Sequence, residues 1–196
     1  MSTRRGTADP DLFVERGFLD PAALAEVFAA VRASGGRPAT VYGRGDSGAV
    51  DERVRRTTRV SPPPEIEELV GRLLLSRMSA AGEHFGLDLK QLEEPQFLRY
   101  GPGGHFVAHQ DGNTGLLRSE REGRKISAVV FLNNRSETDE PDTYGGGSLL
   151  FRPRGAARPS GPAGEAGTLV LFRAETTHEV EPVTRGERFT VASWYK

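Results

Sequence analysis

The chain has 196 residues, 27% of them charged, and a formal net charge of -1; that length suits one domain enclosing a core and a cavity. The balance lacks the basic field that draws nucleic acid or an anionic membrane, so the expected partner is a small molecule or a peptide, with no nucleic acid and no membrane. The absence of cysteine excludes disulfides, thiolate metal sites and cysteine nucleophiles, leaving His, Asp and Glu as metal ligands. The N-terminal ten residues are polar, without an apolar leader, and no run reaches the about 18 apolar residues of a membrane span, so the expected location is cytoplasmic.

Asp20-Pro21 ahead of Ala22 to Ala33 reads as an N-cap, a proline at the first helical position and an Ala-rich helix ended by Gly35-Gly36. Val41 to Val60 carries glycines and four arginines (Arg53, Arg55, Arg56, Arg59), which predicts a loop with one or two short extended pieces. After Pro62-Pro63-Pro64, the apolar residues Ile66, Leu69, Val70, Leu73, Leu74, Met78 and Ala81 recur at helical spacing, predicting one helix over Glu65 to Phe85.

From Leu92 the periodicity becomes that of strands. The runs are Gln96 to Tyr100, Phe106 to His109, Ile126 to Leu132, Ser148 to Phe151, Thr168 to Phe172, Glu179 to Val183 and Phe189 to Trp194. Turns at Gly101 to Gly104, Gly145 to Gly147, Gly161 to Gly164 and Arg185-Gly186 separate them without intervening helical pattern, which predicts a sandwich or barrel rather than parallel winding. Arg152 to Gly167, rich in Pro, Gly and Ala, reads as a mobile loop. The expected organisation is a single domain over 1-196, helical to about residue 90 and a barrel from about 91.

His109, Asp111, His178 and Arg188 carry the chemistry. Residues i and i+2 of a strand share a face, so a His-x-Asp pair can present two ligand atoms to one ion. Two imidazoles and one carboxylate cap one face of Fe(II) and leave positions open for a chelating cosubstrate and oxygen. An arginine ten residues beyond the second histidine offers a fork that fits the far carboxylate of a dicarboxylic keto acid.

The ordered set extends beyond these four residues. Gln96-Phe97-Leu98-Arg99-Tyr100-Gly101-Pro102-Gly103-Gly104-His105-Phe106, then Val129 to Asn133, Gly145 to Leu149, Gly167 to Phe172, His178 to Val183, Gly186-Glu187-Arg188 and Trp194 resemble successive strands of prolyl 4-hydroxylase-like 2-oxoglutarate and Fe(II)-dependent dioxygenases. The resemblance covers about residues 95 to 196. It implies a mainly β fold, a double-stranded β-helix of jelly-roll or cupin type, with the N-terminal helices packed on the larger sheet. It implies His109, Asp111 and His178 as iron ligands and Arg188 as partner of the distal carboxylate of 2-oxoglutarate. It further implies dioxygen as oxidant, ascorbate as a candidate reductant, and hydroxylation of an unactivated C-H bond with release of succinate and CO2. Many prolyl hydroxylases of the family carry Lys where this chain has Arg188 and other members carry Arg, so the resemblance defines the site class and leaves open a prolyl or amino-acid, peptide or small-metabolite substrate.

Tyr100 reads either as a hydrogen-bond donor to the cosubstrate, as in similar enzymes, or as an ordinary barrel tyrosine. Thr190 shares a strand face with Arg188 and can add a hydroxyl to the same carboxylate. Trp194 lies on that face too, bordering the cavity or completing the core. His105 lacks an Asp at +2 and reads as a non-ligand, while His84 ends a helix, where the dipole stabilises it. Asp111-Gly112-Asn113 fails as a calcium loop because Leu116 stands where the loop requires Gly. The glycines at 101 to 104 open no helix and so form no phosphate cradle. Thr190 and Ala192 stand where nucleic-acid repair enzymes of the superfamily would carry Asn and a further Arg. The four arginines read as a solvated strand edge or as the lining of a cavity mouth that attracts an anionic or peptide substrate. The competing functional class is a redox-neutral or non-catalytic cupin-like metal-binding barrel, in which Arg188 would be superfluous.

Overall fold

The computed structural model describes residues 11–41, 49–112, 123–152 and 160–196. The fold is mainly β with few helices. Strand β1 (Leu12–Glu15) leads into α1 (Pro21–Ala33), whose N-terminal amides at Ala22 and Ala23 are capped by the Asp20 carboxylate. The helix ends at Ser34, whose backbone N–H and hydroxyl turn back to the Val31 and Ala30 carbonyls. Gly36 opens a strand, β2 (Gly36–Pro38), rather than ending the helix as expected. It lies against β4 so closely that a Cβ there would sit 2.4 Å from the Arg59 carbonyl oxygen. Two short strands follow, β3 (Arg55–Arg56) and β4 (Thr58–Val60).

The single helix expected over 65–85 is two: α2 (Pro64–Leu75) and α3 (Met78–Phe85). The cause lies at Leu74. Its carbonyl, which a continuous helix would give to the Met78 amide, accepts instead from the Arg77 amide at 2.9 Å and from the buried Tyr195 hydroxyl at 2.7 Å. Arg77 is held aside by a forked pair to Glu15.

The remaining strands are β5 (Gln96–Tyr100), β6 (His105–His109), β7 (Ile126–Phe131), β8 (Tyr144–Gly146), β9 (Leu149–Phe151), β10 (Leu169–Arg173), β11 (His178–Val180), β12 (Val183–Gly186) and β13 (Arg188–Tyr195). Gly145 and Gly146 thus belong to a strand instead of a break. β8 pairs with β12, and at Gly146 a Cβ would meet the Pro182 carbonyl oxygen at 2.5 Å, so only glycine admits the approach. The expected run over 179–183 divides because Pro182 has no N–H to continue a ladder. The segment expected to be a mobile loop falls partly outside the described residues.

Three sheets result, in the orders β1-β10-β7-β13-β5-β4-β2, β3-β6-β11-β9 and β12-β8. Every pairing between these strands is antiparallel, consistent with a double-stranded β-helix. The inner strands β7, β10 and β13 of the large sheet are buried on both faces, which is why they read as nearly continuous apolar runs. One face of the sheet gives Phe97, Val130, Leu171 and Val191 to a cluster that also holds Val27 and Val31 of α1 and Val70 and Leu74 of α2. The opposite face gives Phe131, Val170 and Phe172 to a second cluster with Leu149 and Phe151 of β9. Alternation along β13 therefore turns Phe189, Val191 and Tyr195 toward the helices and Arg188, Thr190 and Trp194 into the space between the sheets. No helix among the described residues is long and apolar enough to cross a membrane.

Candidate metal centre

His109 ends β6 and His178 begins β11, directly opposite each other in the register of the small sheet. Between the His178 and Val180 pairings the register shifts, so that Val180 faces Phe106. This bulge puts Phe106 on the same face as His109, where the two rings stack with centroids 3.6 Å apart and planes 19° apart. On the other side Phe172 meets His178 edge-on at 4.7 Å. Asp111 lies beyond the end of β6, not on the strand as expected. Its amide and that of Gly112 both donate to the Ala174 carbonyl, and this turn brings its carboxylate back between the imidazoles.

In both histidines Nδ1–H donates to the carbonyl two residues earlier, His109 to Val107 at 2.8 Å and His178 to Thr176 at 2.9 Å. That fixes the tautomer in which Nε2 is the nitrogen available to a metal. His109 Nε2 stands 3.6 Å from Asp111 Oδ1 and His178 Nε2 stands 3.5 Å from Oδ2, and the three donor atoms lie within 4.8 Å of one another. Such separations are too long for good hydrogen bonds. They approach the about 3 Å that separates neighbouring ligands at right angles on an ion with bonds of about 2.1 Å. The donor set therefore fits a metal of the Fe(II) type.

The electrostatics agree. Burial pushes the Asp111 carboxyl up, but the adjoining His178 and His109 outweigh it and hold the group well below the usual carboxylate range. The Trp194 indole N–H adds to that pull from a position where it closes no hydrogen bond. Burial, aided by His109, pushes His178 down despite the opposing Asp111 charge and Thr176 carbonyl. An ionised carboxylate beside a neutral imidazole is the state a metal ligand set requires. Ser127, on the inner face of β7, donates its hydroxyl to Asp111 Oδ2 at 2.7 Å. Sequence reasoning did not find this residue; the only signal was a lone hydroxyl in an otherwise apolar strand.

Arg188 is 1% exposed. Its Nη1 donates to Thr190 Oγ1 at 3.2 Å, its Nε has no hydrogen-bond partner, and among the described residues no carboxylate pairs with it. The guanidinium carbon lies 5.1 Å from the ring of Tyr100, its partner in register on β5, and 5.3 Å from that of Phe131. A buried cation without a counter-ion is costly unless an anion is to be bound there, so the environment fits a carboxylate ligand. The structure thus brings together six predicted positions: His109, Asp111 and His178, and beside one another Arg188, Thr190 and Tyr100.

Two further histidines stand apart. His105 is held by backbone carbonyls, Nδ1 to Gly103 at 3.0 Å and Nε2 to Arg53 at 3.4 Å. His84 pairs with Asp11 at 3.0 Å.

A jelly-roll-like body in which two histidines and an aspartate converge, with a buried arginine also between its sheets, is an arrangement that fits a non-heme iron centre and a carboxylate ligand. The profile of the 2OG-Fe(II) oxygenase superfamily matches residues 95–196, and the chain belongs to that superfamily. It is 33% identical over 158 residues to a PKHD-type hydroxylase of Burkholderia ambifaria; the match takes in 79% of this chain, which spans 66% of the length of that relative. In fold it resembles a prolyl hydroxylase from Trichoplax adhaerens solved with a peptide fragment of the hypoxia inducible factor oxygen degradation domain (TM-score 0.72, 18% identity, 95% of this chain and 83% of that one). It also resembles HygX from Streptomyces hygroscopicus, solved with nickel, 2-oxoglutarate and hygromycin B (TM-score 0.63, 15% identity, 95% and 82%).

Proposed function

We propose that this protein is an Fe(II)- and 2-oxoglutarate-dependent dioxygenase that hydroxylates an unactivated C–H bond, with His109, Asp111 and His178 as iron ligands. The observation that carries the reading is Arg188, a buried cation without a counter-ion among the described residues, in a body that also holds the His109, Asp111 and His178 cluster. A metal-binding barrel of cupin type has no use for it. When bound, Fe(II) supplies activation of dioxygen coupled to decarboxylation of 2-oxoglutarate; the protein's part is to position and to exclude.

His109 and His178 turn their Nε2 atoms to the ion because each Nδ1–H is committed to backbone. Asp111 supplies the charge and Ser127 fixes its rotamer. Arg188 holds the C5 carboxylate of 2-oxoglutarate by a forked pair of charge-assisted bonds, with Thr190 orienting the guanidinium and adding its own hydroxyl. Tyr100 directs a further donor toward the same cosubstrate. Phe106 and Phe172 keep water from the ligand side of the imidazoles, and the helices buttress the outer face of the sheet that bears Arg188.

The Trichoplax and Streptomyces proteins were solved with a peptide and with a small molecule respectively, and a prolyl, peptide or small-metabolite substrate is the corresponding class here.

The test is anaerobic titration of the metal-free protein with Fe(II) and 2-oxoglutarate. A visible metal-to-ligand charge-transfer band that needs both additions and weakens in Arg188→Ala is expected. Metal binding without any such band would overturn the reading.

A further inference from the structure

A second feature of the molecule is a cavity of about 300 Å³ on the β3, β4 and β5 side, lined by Arg55, Arg56, Arg99, Glu52 and the Gly101–Gly104 turn. The metal cluster and Arg188 do not line it. Three arginines and one carboxylate line it, and neither recorded ion pair of these arginines closes to hydrogen-bond distance: Arg56 Nε is 3.9 Å from Glu52, and Arg99 Nε is 3.8 Å from Glu187. Arg55 is the decisive member. It is only 9% exposed, its Nε lacks a hydrogen-bond partner, and among the described residues no carboxylate pairs with it. Its one close contact of note is the face of Phe106, 4.8 Å from the guanidinium carbon. Phe106 in turn stacks on His109. A single aromatic ring therefore separates this cation from a ligand of the metal centre.

An unpaired arginine buried to this degree is costly unless something anionic completes it, and a planar fork suits a carboxylate or a phosphate. We infer that this cavity is the anion-binding subsite for the substrate: Arg55, Arg56 and Arg99 hold a carboxylate or phosphate group set apart from the carbon to be hydroxylated. The inference rests on the dioxygenase reading above and narrows its substrate class to anion-bearing molecules. Of the two roles the sequence offers for the arginine-rich segment preceding the barrel, a solvated strand edge or the lining of a cavity mouth that attracts an anionic or peptide substrate, the inference takes the second for Arg55 and Arg56.

The test follows the side-chain Nε–H signals of arginine by nitrogen-15 NMR in the full chain loaded with Zn(II), first titrated to saturation with 2-oxoglutarate and then with the probes. Inorganic phosphate and propionate serve as the two probes. Movement of the Arg188 signal on adding 2-oxoglutarate reports on the cosubstrate site alone, so its absence would overturn the dioxygenase reading and leave the cavity question intact. Saturable movement of the Arg55, Arg56 and Arg99 signals on adding phosphate or propionate is expected. Tighter binding of phosphate identifies a phosphorylated substrate, and tighter binding of propionate a carboxylate. Arg99→Gln, and Arg55→Lys with its charge kept but its fork lost, should each weaken the tighter probe by about tenfold or more. If Arg188 responds to 2-oxoglutarate while both probes leave the three cavity signals unmoved, or if probe affinity is unchanged in Arg99→Gln and Arg55→Lys, the inference is wrong.

Discussion

Ser127 donates its hydroxyl hydrogen to Oδ2 of Asp111 at 2.7 Å, the same oxygen that faces His178 Nε2 at 3.5 Å. Asp111 sits on a bend beyond its strand, so no ladder fixes its side chain and the hydroxyl takes over that task.

Ser127→Ala should therefore weaken metal binding by about tenfold to a hundredfold, the usual effect of removing a partner that orients a ligand. Competition against a chromophoric chelator measures it, and an unchanged circular dichroism spectrum separates the effect from unfolding. An affinity equal to that of the parent protein would show that the bend alone orients the carboxylate.

Arg188 separates function from stability. In Arg188→Met the buried unpaired cation is gone, and replacement of such a charge by a packed apolar chain is neutral or stabilising. The thermal midpoint should hold or rise while the 2-oxoglutarate-dependent charge-transfer band disappears. Arg188→Lys keeps a charge but loses the fork and should raise the half-saturating 2-oxoglutarate concentration by about tenfold. A large fall in the thermal midpoint of Arg188→Met would mean that the arginine is structural.

The barrel half was legible because its inner strands β7, β10 and β13 lie buried on both faces and so print nearly continuous apolar runs such as 169–172, and because glycines mark real turns at 101–104. The cluster of His109, Asp111 and His178 was legible because chelation demands particular side chains in a particular order. What stayed hidden was set by contacts distant in sequence. The break between α2 and α3 depends on Tyr195, far along the chain, claiming the Leu74 carbonyl. β1 and β2 are too short to show periodicity and exist by pairing with β10 and β4. Ser127 has no spacing that marks it, since its partner is defined only after the chain has folded.

Gly147 occupies a left-handed backbone conformation with φ +59°, and a Cβ there would meet Val183 at 3.0 Å and the Arg188 Cδ at 3.1 Å. Gly147→Ala should cost about 1–2 kcal/mol from the backbone alone. Because the added methyl presses on the Arg188 stem, it should also weaken 2-oxoglutarate binding several-fold while metal affinity stays constant. Denaturant titration and the charge-transfer band measure the two effects separately. A variant with unaltered cosubstrate affinity would show that the Arg188 stem yields without moving its fork.

Tyr195 reaches through the core to hold the Leu74 carbonyl at 2.7 Å, and Tyr195→Phe should cost about 1–3 kcal/mol by leaving that buried acceptor one partner short. Burial pushes the hydroxyl well above its ordinary range. The unfolded chain therefore gives up this proton before the native one does. The stabilising difference is fully present below the ordinary tyrosine pKa of about 10 and declines as pH rises above it, because there the unfolded state binds fewer protons. Tyr195→Phe, lacking the proton, should be less stable than the parent at neutral pH but lose stability less steeply under alkaline conditions. Urea midpoints on either side of the ordinary tyrosine pKa test this, and parallel alkaline slopes for the two proteins would refute it.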